Sequence, residues 1–285
     1  MTLIGYPLIF LKLNSTFVAV INATRSDMII LKRILIWLRN LILFLFVSSL
    51  VWVVACKFIP VYYTPLMFIR VYEQFQEGKP LKLKHTWVPI SKIAQPMVQA
   101  VVSSEDNLFM EHNGFDVEQI KKARKEAVRG KRVRGASTIT QQTAKNVFLW
   151  PGKSYIRKGI EAYFTVLIEW IWGKERIMEV YLNSIEMGEG IYGVEAVAQE
   201  HFDKPAYKLN RRQAALIAAT LPNPRKFNSA KPSPYMLKRQ SKILSLMGKL
   251  MKVEMGYSIG SSDQDSSKIK KRKKWRALVT RTLGE

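Results

Sequence analysis

The acidic pair Glu105 and Asp106 is the first feature of the sequence that could do chemistry. It follows the apolar residues 98–102 and opens a stretch that continues to His112 and Gly114. A carboxylate at the edge of an apolar segment is partly desolvated, which suits general acid or base catalysis near neutral pH. Adjacent acids at a helix end are more often solvated or capping groups, so the local sequence alone favours that alternative.

A second feature combines cations with a turn of small residues. Residues 134–146 start with Arg-Gly-Ala-Ser-Thr and continue into a polar helical stretch, after seven Lys or Arg residues between positions 121 and 132. Backbone N–H groups at such a helix start bind phosphate, and Lys145 would add a charge while Ser137 or Thr138 would add a hydroxyl donor. The sequence has no P-loop pattern, and a solvated basic face is the alternative.

A third feature places a carboxylate beside cations on one helix. Arg157 and Glu161 are four residues apart and Lys158 is adjacent, so all three can lie close together on a helix surface. A surface ion pair would show the same spacing. The block 174–183 that follows is typical of packing with an exposed charged face.

Helices must position these residues, because apolar spacing beyond residue 90 follows a helical period more than strict alternation. Two helix starts have a polar capping residue followed three positions later by Gln, a third has a Ser cap, and a fourth follows a Gly. The sequence therefore predicts a mainly α-helical domain. Its predicted helices run from Asp116 toward Gly130, from Ser154 to Gly173, from Lys174 onward, and from Asn210 to Thr220.

The composition indicates anionic partners. The chain has 285 residues with 45 Lys plus Arg and 22 Asp plus Glu, which gives a formal net charge of +23. Nucleic acid, an acidic membrane surface and a phosphate-bearing substrate all fit this charge. Cys56 is the single cysteine, which excludes an intramolecular disulfide, and the three histidines have no zinc-ligand spacing.

Residues 34–56 predict a transmembrane signal anchor. The sixteen residues 41–56 carry no charge, and about 20 apolar residues span a bilayer core. Lys32, Arg33 and Arg39 flank the N-terminal side while only Lys57 closely follows the other, so the positive-inside rule places the N-terminus in the cytoplasm. Because no A-x-A pattern ends the run, we expect an uncleaved anchor rather than a cleaved signal peptide.

The sequence then divides into four predicted parts. Residues 1–33 form a cytoplasmic N-terminal segment, in which Met28 is an alternative to Met1 as the translation start, and residues 34–56 form the anchor. Residues 57–255 are long enough for one well-buried domain. Residues 256–285 have the composition of a basic, disordered tail, to which the sequence assigns no role.

Five ordered motifs within residues 85–228 resemble those of the peptidoglycan glycosyltransferases, glycosyltransferase family 51. They read E-D-x-x-F-x-x-H-x-G from Glu105, G-x-S-T-I-T-Q-Q-x-x-K-N from Gly135, R-K-x-x-E from Arg157, K-x-x-I-x-E-x-Y-L-N from Lys174, and A-A-T-L-P-x-P from Ala218. The resemblance implies a lysozyme-like, mainly helical glycosyltransferase domain. With its single anchor, the chain is most similar to the monofunctional members from Gram-negative bacteria, so we expect the inner membrane and a periplasmic catalytic domain.

The same resemblance implies a reaction and a set of site residues. The family polymerises lipid II: the 4-hydroxyl of the acceptor sugar attacks C1 of a donor whose undecaprenyl pyrophosphate leaves with inversion. Glu105 corresponds to the general base, and Glu161 to a second essential carboxylate that orients or stabilises charge near the donor. The implied substrate-binding residues are Ser137, Thr138, Gln141, Gln142, Lys145, Asn146, Lys153, Arg157, Lys158, Glu175 and Asn183.

The expected partners are lipid II, the nascent glycan strand and the inner membrane, without nucleic acid. We expect no required cofactor and no dedicated metal site, while dependence on Mg²⁺ or Mn²⁺ stays open. Penicillin-binding transpeptidases and division proteins are further partners that the sequence leaves open.

Two other functions stay open at this point. A lysozyme-like glycoside hydrolase would use the two carboxylates on peptidoglycan, but it would need neither pyrophosphate-binding cations nor an anchor. A membrane-tethered nucleic-acid binder would use residues 121–134 and the tail, but these lack interleaved aromatic residues and have a predicted location outside the cytoplasm.

Overall fold

The structure is a computed structural model that describes residues 6–129, 137–152 and 154–250, with side chains described at residue 28 and from residue 30 onward. The backbone contacts divide the chain into two units, Met1–Ile59 and Pro60–Glu285. The described part of the first unit is a single helix, and the second unit contains the five motifs.

The first unit contains helix α1 (Tyr6–Phe58). Within this helix, the 29 residues Ile30–Phe58 are long and apolar enough to cross a membrane, judged by length and composition. At about 1.5 Å per residue the segment extends roughly 43 Å, which exceeds the hydrocarbon thickness of about 30 Å. The predicted anchor, residues 34–56, lies inside this segment.

The second unit is mainly helical, as the sequence predicts, and includes a small sheet. Its helices are α2 (Pro65–Gln76), α3 (Gln95–Glu105), α4 (Val117–Val128), α5 (Ile139–Phe148), α6 (Tyr155–Ile171), α7 (Lys174–Ser184), α8 (Val194–Phe202), α9 (Arg211–Thr220) and α10 (Pro234–Lys249), with short 3-10 turns at Ile90–Lys92 and Ala206–Lys208. Its strands are β1 (Lys84–His85), β2 (Glu186–Gly188) and β3 (Ile191–Tyr192).

The three strands form one sheet in the order β1-β3-β2. Strand β1 runs parallel to β3 with Lys84 opposite Ile191, whereas β2 runs antiparallel to β3. Gly190 connects β2 to β3 with a φ of +66°, and its carbonyl accepts a hydrogen bond from the Lys84 backbone N–H at 2.8 Å. A Cβ at this position would lie 2.4 Å from the Lys82 carbonyl oxygen, so only glycine fits the turn.

Helices α3, α9 and α10 pack against one another and support the C-terminal end of α3. Helix α9 contributes fully buried small side chains, among them Ala214 and Ala218, which allow close approach of the neighbouring helices. Helix α3 contributes Val98 and Val101, which are also fully buried. The residue that ends α3 is therefore held by a tightly packed helical support.

Helix α5 packs against both α6 and α7. Phe148 at the end of α5 stacks on Phe164 of α6 with 4.5 Å between ring centroids and 7° between ring planes. Tyr181 and Leu182 of α7 are fully buried. These contacts fix the second and third motifs relative to each other.

The predicted helix starts are confirmed in position, and one of them lacks its expected hydrogen bond. Asp116 accepts from the Gln119 backbone N–H at 2.8 Å, and Asn210 forms a reciprocal capping box with Gln213. Ser154 occupies the N-cap position of α6, but its side chain makes no capping hydrogen bond. Tyr155 and Ile156 in this first turn are exposed, so water can serve their backbone N–H groups.

Candidate active site

Glu105 is the last residue of α3, and its side chain is 15% exposed. Its Oε1 accepts a hydrogen bond from the Ser104 hydroxyl at 3.0 Å, and its Oε2 accepts one from Nε2 of Gln142 at 3.1 Å. A guanidinium nitrogen of Arg239 lies 3.5 Å from Oε1. We call Ser104, Glu105, Gln142 and Arg239 the base side of the site. Its carboxylate is held mainly by neutral donors.

Asp106 points away from this carboxylate into a second network. Its two oxygens lie 2.9 and 3.0 Å from Nε2 of His112, and Oδ2 also accepts from the Ile139 backbone N–H at 3.0 Å. The Gly114 backbone N–H donates to Nδ1 of His112 at 3.2 Å, so Nε2 carries the hydrogen that Asp106 accepts. Asp106 therefore links the first motif to the start of α5.

Thr138 and Gln141 form the N-terminal cap of α5. Thr138 accepts from the Gln141 backbone N–H at 3.2 Å, and Gln141 Oε1 accepts from the Thr138 backbone N–H at 3.1 Å. The Thr138 hydroxyl also donates to the Gly114 carbonyl at 2.7 Å. The side chains of these two residues are thus engaged within the protein, while Gln142, the next residue, contacts Glu105.

Gly114 allows this network to pack closely. Its φ is +87°, and a Cβ there would lie 2.7 Å from Cγ2 of Thr165 and 3.0 Å from Cγ of Glu169. Both neighbours belong to α6. A side chain at position 114 would therefore separate the first motif from α6.

Glu161 lies on α6 and is 3% exposed. One oxygen accepts from Arg157 at 2.9 Å, and the other forms an ion pair with Lys158. Arg157 is itself fixed, because its Nε donates to the Gly152 carbonyl at 2.9 Å. The sequence left open whether Arg157 and Glu161 form a surface ion pair. In the structure the pair is buried.

Lys145 of α5 is half-buried and lies within electrostatic range of both Glu105 and Glu161. Burial lowers the pKa of Lys145 below the ordinary lysine value, and the nearby cations Arg157 and Lys158 act in the same direction against the pull of Glu161. Among the described residues, none forms an ion pair with its ammonium group. We call Lys145, Arg157, Lys158 and Glu161 the cation side of the site.

Ser137 lines a polar cavity of about 180 Å³ together with Glu105, Asn107 and Gln119. Asn146 is buried one residue beyond Lys145 on α5. The structure thus places Ser137 beside the base side and Asn146 on the helix that carries Gln142 and Lys145.

Two predicted substrate-binding residues, Glu175 and Asn183, lie on α7 and belong to neither the base side nor the cation side. Glu175 is exposed in the first turn of the helix. Asn183 is fully buried, and its amide donates to the carbonyls of Val88 and Glu179 and accepts from the Val88 backbone N–H, at 2.8–2.9 Å. A substrate contact of either residue remains a prediction, and the amide of Asn183 is occupied within the protein.

Lys153, residues 134–136 and the predicted tail 256–285 lie outside the described residues. The part of the basic run that is described, residues 121–129, lies on and just after α4, where Lys121 pairs with Glu118 at 3.0 Å on the exposed surface.

Two contacts of the base side were missed by the sequence analysis. Arg239 lies on α10, after the last motif, and Tyr181 was treated only as a packing residue. A signal for Arg239 exists, because it lies three residues after Met236 and four before Ile243, both buried on the apolar face of α10. A cation on an apolar helix face needs a partner.

Within the described residues, no group of three or more His, Cys, Asp or Glu side chains could hold a metal ion. We derive no catalytic step through a metal. A larger cavity of about 560 Å³ lies beside the sheet and residues 224–228, and none of the predicted site residues lines it. Size alone therefore does not identify the site.

The chain is similar in sequence to known proteins. The family model described as Transglycosylase matches residues 72–248. A biosynthetic peptidoglycan transglycosylase of Bacteroides thetaiotaomicron is 56% identical over 242 residues, which cover 85% of this chain and 98% of the relative. Proteins of the same name are 53% identical in Bdellovibrio bacteriovorus, over 73% of this chain and 84% of the relative, and 45% identical in Aeromonas hydrophila, over 79% and 94%.

Proposed function

This chain belongs to the transglycosylase family. We propose that its base side activates the acceptor sugar in glycan-strand polymerisation, while its cation side binds the pyrophosphate of the donor. The protein is a peptidoglycan glycosyltransferase of cell-wall synthesis, which joins lipid II units into glycan strands. In the proposed reaction, the 4-hydroxyl of the acceptor sugar attacks C1 of the donor. The donor's undecaprenyl pyrophosphate leaves from the opposite face, with inversion.

Glu105 is the proposed general base. Its two oxygens are oriented by Ser104 and Gln142, and the side chain borders the polar cavity of about 180 Å³. These two neutral donors fix the carboxylate in place, and the Arg239 guanidinium adds a longer contact at 3.5 Å. A positioned base of this kind contributes roughly 10² to 10⁴ in rate.

The cation side is the proposed site of the pyrophosphate. Arg157 and Lys158 are held by Glu161, and Lys145 has no counter-ion among the described residues. A pyrophosphate that leaves C1 gains negative charge in the transition state, and cations already fixed in place stabilise that charge. Bound phosphate would also offset the desolvation of the Lys145 ammonium group.

Glu161 has a supporting role in this proposal. Because it is buried between two cations, it fixes their positions and limits their mutual repulsion. We therefore assign it to the orientation of the cation side rather than to proton transfer.

The single observation that carries the proposal is the asymmetry of the two carboxylates: Glu105 is held by two neutral donors and one cation at 3.5 Å, whereas Glu161 is bonded directly to two cations. A glycoside hydrolase needs a carboxyl group that gives a proton to the leaving oxygen and has no use for a cation cluster. The cations at Glu161 therefore favour transfer from a pyrophosphate donor over hydrolysis.

Incubation of the purified full chain with lipid II tests this function. We expect polymeric glycan, detected by gel electrophoresis of labelled product, and release of undecaprenyl pyrophosphate. Shortening of preformed glycan without polymer from lipid II would contradict the proposal and support the hydrolase.

The same proposal includes a location in the cell. We infer a single-pass anchor at residues 34–56, with the N-terminus in the cytoplasm and the catalytic domain on the outer side of the bacterial inner membrane. The apolar segment Ile30–Phe58 and the flanking cations support this inference. Reporter fusions at the C-terminus test it, since a reporter active only in the cytoplasm would contradict the topology.

A further inference from the structure

Tyr181 of α7 reaches the base side through a hydrogen bond. It is fully buried, and its hydroxyl lies 3.2 Å from Oε1 of Gln142. The other end of the same amide, Nε2, donates to Glu105 at 3.1 Å. A chain of two hydrogen bonds therefore connects the core of the domain to the proposed base.

The direction of this chain follows from the chemistry of its members. An ionised carboxylate only accepts, so the NH₂ group of Gln142 must face Glu105 and the amide oxygen must face Tyr181. The tyrosine hydroxyl then has to donate. Burial and the charges of Glu105 and Asp106 raise the pKa of Tyr181 above its ordinary value, so the phenol keeps the proton that it donates.

Without the hydroxyl, Glu105 alone would distinguish the two ends of the amide. The terminal torsion of glutamine is broad and nearly two-fold, so the torsion itself resists a half turn only weakly. In the turned orientation the amide oxygen faces the oxygen of Glu105 and repels it. The Tyr181 hydroxyl favours the orientation that supports an ionised Glu105.

Tyr192 shows that burial alone does not require such a hydrogen bond. It is also fully buried, and its hydroxyl has no hydrogen-bond partner among the described residues. The two tyrosines differ in what their hydroxyls contact, not in how deeply they lie. Tyr192 is therefore a matched control for Tyr181.

We propose that Tyr181 is a positioning residue of this enzyme, which orients the Gln142 amide so that it holds Glu105 ready to accept the acceptor sugar's proton. The proposal rests on the proposed role of Glu105 as general base. Tyr181 does not touch the substrate in this proposal, and it acts only through Gln142.

The test compares Tyr181→Phe with Tyr192→Phe in the full chain, with lipid II as substrate. For Tyr181→Phe we expect kcat to fall about tenfold with KM changed less than twofold, because substrate contacts stay in place. We also expect the acidic limb of the kcat/KM profile to move to higher pH, since the ionised form of Glu105 loses support. Tyr192→Phe is expected to keep the parent's profile, and equal effects of both variants would overturn the proposal.

Gln142→Ala is the second variant, and it leaves the buried phenol ring in place if Tyr181→Phe fails to fold. It is expected to show the same shift of the acidic limb, and an unshifted limb would overturn the proposal. In the double variant, Tyr181→Phe is expected to add no further loss of kcat to Gln142→Ala, because both remove one chain of contacts. Additive losses would show that Tyr181 acts by another route.

Glu105→Gln, assayed in parallel, separates this proposal from the proposed function. If Glu105→Gln stays active, the assignment of the base is wrong, and the role of Tyr181 is overturned with it. If Glu105→Gln is inactive while the two Phe variants behave alike, the base assignment stands and only the positioning role is wrong.

Discussion

The base side and the cation side use the same kind of side chain under opposite conditions. Glu105 is held by two neutral donors and by Arg239 at 3.5 Å, whereas Glu161 is 3% exposed and bonded to two cations. Protonation of Glu105 would weaken one long ion pair, whereas protonation of Glu161 would break two. In the proposed function, the surroundings rather than the residue type therefore decide which carboxylate acts as the base.

Replacement of Glu105 by Gln removes the base while keeping its contacts, and it has the largest expected effect. The new amide oxygen can still accept from Gln142 while its NH₂ group donates to the Ser104 hydroxyl, so we expect nearly unchanged thermal unfolding but polymerisation reduced by about 10⁴-fold. The measurement is the initial rate on lipid II in detergent. Glu118→Gln, which changes a carboxylate whose side chain is 80% exposed, is the control. Turnover within tenfold of the parent would show that Glu105 is not the base.

Replacement of Glu161 by Gln should distinguish the two sides by stability as well as by activity. Arg157 and Lys158 lose their common counter-ion, so we expect a loss of about 10³-fold in rate and about 2 kcal/mol in the free energy of unfolding. For a domain of this size, that lowers the Tm by about 4–8 °C. Equal Tm values for Glu105→Gln and Glu161→Gln would contradict the view that Glu161 contributes more to stability than Glu105.

Lys145→Met tests the cation that lacks a counter-ion. We expect the rate on lipid II to fall about 10²-fold, while the Tm stays the same or rises, because a desolvated charge is replaced by an apolar side chain of similar length. A clear fall in the Tm would contradict this assignment.

The pH dependence of the same variant follows from the lowered pKa of Lys145. Between its folded-state pKa and the unfolded value of about 10.4, the unfolded chain binds more protons than the folded chain, so this residue makes stability rise with pH. The penalty from its buried charge is fully present below that window. Lys145→Met should lose this contribution, which a comparison of Tm against pH for parent and variant measures.

Asn183→Ala is expected to have the smallest effect on activity, because Asn183 belongs to neither side. Its loss leaves the half-buried backbone groups of Val88 without these partners, so we expect about 2 kcal/mol lower stability and a kcat within threefold of the parent at 25 °C. Unfolding and kinetics on the same preparation check both numbers. A KM raised more than tenfold with an unchanged Tm would instead support the substrate contact that the family resemblance implies.

The sequence was most informative where local chemistry decides the structure. The caps at Asp116 and Asn210 depend on residues three positions apart, and both are present. The spacing of Arg157 and Glu161 is likewise local, and their contact follows from the helix period. Whether that pair is buried depends on what packs against α6, which the sequence alone left open.

Contacts between distant segments were harder to predict. Arg239 reaches Glu105 across 134 positions of the chain, and Tyr181 reaches Gln142 across 39. Neither contact has a spacing rule, since both depend on how α10 and α7 pack. Thr138 and Gln141 illustrate a different difficulty. The family resemblance implies that they bind substrate, but in the structure their side chains cap α5. Polar residues at a helix start suit either role, so the sequence alone does not separate the two.

The tight approach at Gly114 has a consequence for genetics. A Cβ at this position would collide with the side chains of Thr165 and Glu169 on α6, yet the proposed function gives Gly114 no part in the reaction. Substitutions there act on the fraction of folded enzyme, which falls steeply as temperature rises. We therefore expect alleles at this codon to behave as temperature-conditional losses of cell-wall synthesis that extra gene copies relieve, in contrast to Glu105 alleles, which would remove the proposed base and would not be restored by gene dosage.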